Sequence, residues 1–149
     1  MKVLRVAFVL MLLASVRVRA QATEGSIIGT WESDEEHVRM EYFQDGDHYN
    51  ARLLWGKKIV EMNGTTSKKD AKNPDQNLRS RNIIGIVSLT GLKWNGKDYV
   101  GGQIYDPPSG KTYKCKAWIA GDKLYLRGFL GFSMMGKTVT WHRYPSKTS

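Results

Sequence analysis

"KTYKCKAWIAGDKLYLRG", residues 111–128, decides the fold. Tyr113, Cys115, Ala117 and Ile119 alternate with Lys114, Lys116 and Trp118; after Gly121-Asp122, Leu124 and Leu126 alternate with Lys123, Tyr125 and Arg127. A period of two puts the first set of each run on one face of a strand and the cations on the other. A Gly-Asp pair between the runs accepts positive φ at little cost. The stretch therefore reads as an antiparallel hairpin with one apolar and one cationic face.

The same pattern extends in both directions. Strands are expected at 27–32, 38–43, 48–55, 57–62, 83–89, 98–105, 111–119, 123–130 and 137–144, with further tight turns at Asp45-Gly46 and Asn95-Gly96. Helical periodicity is nearly absent. Eight or nine short strands without a long helix predict an all-β domain, a single antiparallel barrel, because closure leaves no exposed sheet edge. Alternation puts Val38, Met40 and Tyr42 on one inner row, and Tyr49, Ala51, Leu53 and Trp55 on the next. Val139 and Trp141 face inward from the last strand. Small residues at Ala51, Cys115 and Ala117 either leave a ligand-sized cavity or receive the rings of a filled core, and barrels of about eight strands show both outcomes.

The chain ends bound the domain. Lys2 and Arg5 precede an unbroken apolar run, Val6 to Ala14, and small residues follow at Ala20 and Ala22. That run is too short to span a bilayer, so residues 1–22 read as an export signal cleaved after Ala20 or Ala22, and not as a transmembrane segment. Residues 23–149 then form one domain, periplasmic or secreted. Removing the signal takes away Lys2, Arg5, Arg17 and Arg19 and no acid, which lowers the formal charge from +9 to +5. A moderately basic exported chain suits an anionic envelope component as a partner. Cys115 is the only cysteine, so no internal disulfide forms and stability rests on packing.

Motifs for catalysis are missing. His37, His48 and His142 lack metal-ligand spacing, and no metal or cofactor is expected. The acidic turn Asp34 to His37 reads as a solvated connection. Gly110-Lys111-Thr112 fails as a phosphate loop, since a strand follows it and Tyr105 stands where the first glycine should be. No nucleophile elbow occurs. Residues 57–81, with Lys57, Lys58, Lys68, Lys69, Lys72, Arg79 and Arg81, and five tryptophans in the chain would suit a nucleic acid, but export argues against that partner. Asn63-Gly64-Thr65 matches a glycosylation acceptor.

"GTW" at 29–31 and "WHR" at 141–143 lie on strands that a closed barrel makes neighbours. Gly29, Trp31 and Arg143 are the expected closure, with the arginine laid across the tryptophan, and they resemble the lipocalin and calycin pattern. "NPD" at 73–75 with Arg79 and Arg81, "GGQIYDPPSGKTYKC" at 101–115, "KLYLRGFLG" at 123–131 and "TWHR" at 140–143 follow in order. Together these resemble a mostly bacterial exported family, domain of unknown function 2147. That resemblance implies a lipocalin-like barrel over essentially the whole mature chain and assigns no activity.

The functional expectation is an exported, non-enzymatic binding protein holding a small apolar or amphipathic molecule. The walls would come from Met40, Leu53, Trp55, Ala51, Cys115, Ala117 and Trp141, with Tyr42, Tyr49, Tyr105 and Tyr113 as polar handles. The polar connection from Asn63 to Asn82 is long for a barrel. Within it Asn73 and Asp75 start a tight turn, and Arg79 and Arg81 either grip an anion over the ligand or pair with Asp70 and Asp75. The alternatives are a cavity-free module acting on the envelope through its basic outer face, and a hydrolase.

Overall fold

In the computed structural model, which describes residues 20–35, 38–129 and 136–145, strand follows strand around a closed ring. The strands are β1 Gly29–Ser33, β2 Val38–Asp45, β3 His48–Gly56, β4 Val87–Trp94, β5 Tyr99–Asp106, β6 Lys111–Ala120, β7 Lys123–Phe129 and β8 Lys137–Arg143. Each pairs antiparallel with the next, and β8 returns to β1 with Trp31 opposite Arg143. Closure leaves no free edge among these strands. Gly46, Gly96 and Gly121 take positive φ at one end of the barrel, as their turns require.

Three expectations about the strands are corrected. Residues 57–62 form no strand; only Val60 makes an isolated bridge, to Ser67, so the barrel has eight strands and not nine. The strand expected at 83–89 begins at Val87 and runs to Trp94. β1 starts at Gly29, because Glu24–Ile27 coils into a short 3-10 turn.

A bulge corrects the inner row of β3. Arg39 lies opposite Trp55 but Met40 lies opposite Leu53, so Leu54 is the extra residue. One inserted residue reverses the facing of everything beyond it. Trp55 therefore sits on the outer wall, under the Arg39 guanidinium at 4.9 Å, with its indole N–H donating to the Gly64 carbonyl at 2.9 Å. It is no part of the interior.

The filled part of the core lies toward the end where the chain enters. The turn Glu24–Ile27 closes that end: Trp31 Nε1 donates to the Ile27 carbonyl at 2.8 Å, and the Ile27 N–H donates to the Tyr99 hydroxyl at 3.1 Å. Arg143 donates to the carbonyls of Ile28 and Ser26 and stacks 4.0 Å from the Trp31 ring. Gly29 is required there, because a Cβ would meet the Arg143 guanidinium at 2.6 Å, and its φ is +119°. Above this floor Tyr49 and Tyr99 meet edge to face at 5.4 Å. Ala51, Leu89, Leu92, Ala117 and Leu124 are sealed from solvent. Gly102 lets Leu92 and Cys115 close in; a Cβ there would stand 2.7 Å from Leu92 Cδ2.

Candidate functional site

The opposite end of the barrel is hollow. A cavity of about 390 Å³ opens between the β3–β4 connection and the β5–β6 turn. Met40, Leu53, Ile104, Leu126, Val139 and Trp141 make its apolar wall; Tyr113 and Val38 also line it. Ile59 and Lys58 enter from the β3–β4 connection, Asp106, Pro107 and Pro108 from the turn, and Lys137 from β8. The size falls at the small end of ordinary ligand pockets.

Strand alternation builds this wall. Ile104 and Tyr113 are register partners on β5 and β6, and Leu126 and Val139 on β7 and β8. Two serines, Ser33 and Ser88, are buried within the lining. Ser33 Oγ accepts from the Val38 N–H at 3.1 Å, which seals the start of β2. Lys58 is exposed at the rim and pairs with no carboxylate among the described residues. The site thus offers apolar contact in depth and polar groups at its edge.

The expected wall residues separate into two sets. Met40, Leu53, Tyr113 and Trp141 border the cavity. Tyr42, Tyr49, Ala51, Cys115 and Ala117 belong to the filled half below it. Burial holds the Tyr42 hydroxyl far above its ordinary range, and that hydroxyl has no hydrogen-bond partner. Burial also pushes the Cys115 thiol up to about 12, the reverse of what an activated nucleophile needs. Tyr105 is opposite Thr112, in the outward register of Gln103 and Lys114. It contributes to the cavity rim, but its hydroxyl donates to Asp70 Oδ1 at 2.6 Å and is no free handle. Ile104, Ile59, Leu126 and Val139 were missing from the expected binding set, although Leu126 and Val139 carry the inward alternation.

Asp70 organises the long connection 57–86. It is completely buried, its Oδ2 accepts from Arg81 Nε at 3.0 Å and Asn73 Nδ2 at 2.8 Å, and Arg81 Nη2 pairs with the same oxygen at 2.9 Å. Main-chain bonds join Asp70 to Arg81 and Ile83 to Lys68, so the segment doubles back on itself. Asn73 Oδ1 accepts from the Asp75 N–H, Asp75 Oδ1 from the Asn77 N–H, and Arg79 Nε donates to the Asn73 carbonyl at 2.7 Å. Asn73, Asp75, Arg79 and Arg81 are therefore engaged inside the connection. Gly110 abuts it: a Cβ there would stand 2.2 Å from the Lys72 carbonyl oxygen. Through Tyr105 and Gly110 the connection is clamped to the β5–β6 rim.

Elsewhere His142 Nδ1 lies 2.5 Å from Asp34 Oδ1 and Lys123 3.4 Å from Asp34 Oδ2, on the outer wall. The hydrogen bond from His142, then Lys123, holds the Asp34 carboxyl below its usual range. Among the described residues no group of three or more His, Cys, Asp or Glu is placed to hold a metal; His37 lies outside them. No helix among them is long and apolar enough to cross a membrane. A second hollow of about 610 Å³ lies at the floor between Ala20–Ala22 and Arg143, Trp31 and Ile119. It is more open, and a third of its lining residues, Ala20 to Ala22, are the stretch where signal cleavage is expected.

The family model for an uncharacterized protein conserved in bacteria (DUF2147) matches residues 29–143, from the first glycine of β1 to the closing arginine of β8. Among solved structures, protein HP1028 from the human pathogen Helicobacter pylori, described as belonging to the lipocalin family, superimposes with a TM-score of 0.69. It is 29% identical, over 80% of this chain and 84% of that one. No curated protein matches the sequence.

Proposed function

This chain belongs to the DUF2147 family, and from that premise we propose that it is an exported, non-enzymatic protein that holds one small apolar or amphipathic molecule at the barrel mouth. The cavity of about 390 Å³ carries this reading. Its wall is aliphatic and aromatic where a ligand tail would lie, with Lys58, Asp106 and the Tyr113 ring near the opening. Burying an apolar tail against such a wall stabilises the complex by about 25 cal/mol per Å² removed from water. The lipocalin-like fold of the Helicobacter pylori protein is consistent with it.

A molecule longer than the hollow leaves its polar end at the rim, among Lys58 and Asp106. Export follows from the Lys2–Ala22 pattern, and mass measurement of the processed N-terminus in cell fractions tests it. Native mass spectrometry of the protein after incubation with envelope lipid extract tests the binding. One retained small molecule per chain is expected, and Leu126→Trp, which fills the cavity from β7, abolishes retention. Retention unchanged in Leu126→Trp, or no retained species in either protein, counts against the reading.

A further inference from the structure

The outer wall of β6 and β7 carries charge of one sign. Its outward charged positions are Lys114, Lys116, Lys123 and Arg127, and neither strand holds an aspartate or glutamate. Lys116 lies directly opposite Arg127 across the strand pair, an arrangement that costs stability. Lys114 is exposed, and neither Lys114 nor Lys116 pairs with a carboxylate among the described residues. The acid that does meet this wall stands at its margin, Asp34 on Lys123.

Half-buried rings are set among these cations. Trp118 and Tyr125 stack at 5.4 Å with planes 7° apart. Lys116 lies 5.6 Å from the Trp118 ring and Arg127 5.5 Å from that of Phe129. The Trp118–Tyr125 pair is cross-strand and steadies β6 on β7, and it sets amphipathic rings beside outward cations. A bilayer with anionic headgroups satisfies both: it neutralises the cations, and it takes amphipathic rings at headgroup depth. We propose that the outer face of β6 and β7 docks on an anionic phospholipid membrane, through Lys114, Lys116, Arg127, Trp118, Tyr125 and Phe129. The face reaches the cavity rim, because Gly128, beside Phe129, lines the opening. Docking does not depend on the cavity being occupied.

Vesicle sedimentation tests this, with the protein purified as the cell leaves it. Vesicles of phosphatidylglycerol with phosphatidylcholine are compared with phosphatidylcholine alone, at low and high salt. Binding is expected only to the anionic vesicles and is weakened by salt. Lys114→Ala/Lys116→Ala lowers the partition coefficient tenfold or more. Lys57→Ala/Lys97→Ala removes the same charge from exposed positions elsewhere and changes it by less than about twofold. Thermal melts confirm that both variants are folded. No binding to anionic vesicles, equal loss in both double variants, or capture by dextran sulfate without vesicle binding overturns the proposal.

Discussion

Asp70→Ala removes the residue on which the long connection is built. Asp70 is wholly buried, accepts hydrogen bonds from Arg81, Asn73 and Tyr105, and forms an ion pair with the Arg81 guanidinium. Deleting one partner of a buried ion pair costs about 3–5 kcal/mol. The Arg81 side chain is 35% exposed and can recover water, which favours the lower end, about 3 kcal/mol. For a domain of this size the melting temperature then falls by roughly 10 °C. Losses concentrate between residues 57 and 86, so hydrogen exchange in that segment accelerates more than in β6 and β7. Arg79→Ala is the contrast: one bond to the Asn73 carbonyl from an exposed residue is worth about 0.5–1.5 kcal/mol. A cycle of Asp70→Ala with Tyr105→Phe gives a coupling of about 1 kcal/mol. If Asp70→Ala melts within about 1 kcal/mol of the parent, the buried carboxylate does not hold the connection down, and the reasoning fails.

Two further predictions concern the floor and the filled core. Arg143→Lys keeps the charge but cannot reach the Ile28 and Ser26 carbonyls together while covering Trp31, so it costs about 2 kcal/mol by urea unfolding; a loss below about 0.5 kcal/mol contradicts that geometry. Cys115 sets an alkaline limit: its thiol is held up to about 12 from an ordinary value of 9.0, so the folded state keeps a proton that the unfolded chain releases. That contribution is complete below pH 9 and is lost as pH rises toward 12, by up to about 1.4 kcal/mol per pH unit. Between pH 9 and 10 the urea midpoint of the parent falls more steeply than that of Cys115→Ala, in which only the raised Tyr42, Tyr49, Tyr99 and Tyr105 hydroxyls contribute; parallel curves would refute it.

Barrel closure was legible because both its signals are local. Alternation in 111–128 is a property of strand geometry, and Gly29, Trp31 and Arg143 needed only the assumption that first and last strands meet. The bulge was not legible. Leu53-Leu54-Trp55 breaks alternation with three apolar residues, and nothing in their chemistry says which one is the extra. That choice moved Trp55 from the interior to the outer wall. Tyr105 misled for a related reason: its ring is apolar enough for a core, and its partner Asp70 lies 35 residues away. Which half of the barrel is empty depends on side chains from all eight strands, and on Ile59 from a segment that looked like a ninth.

The central claim is a binding cavity in one half of the barrel only. Methyl-detected NMR during titration with a medium-chain amphiphile such as decanoate tests it most directly. The account predicts saturable shifts at Met40, Leu53, Ile104, Leu126 and Val139, with Leu92, Leu124 and Ile27 unmoved. Shifts spread over the filled half, or none in the cavity methyls at saturating amphiphile, would contradict it.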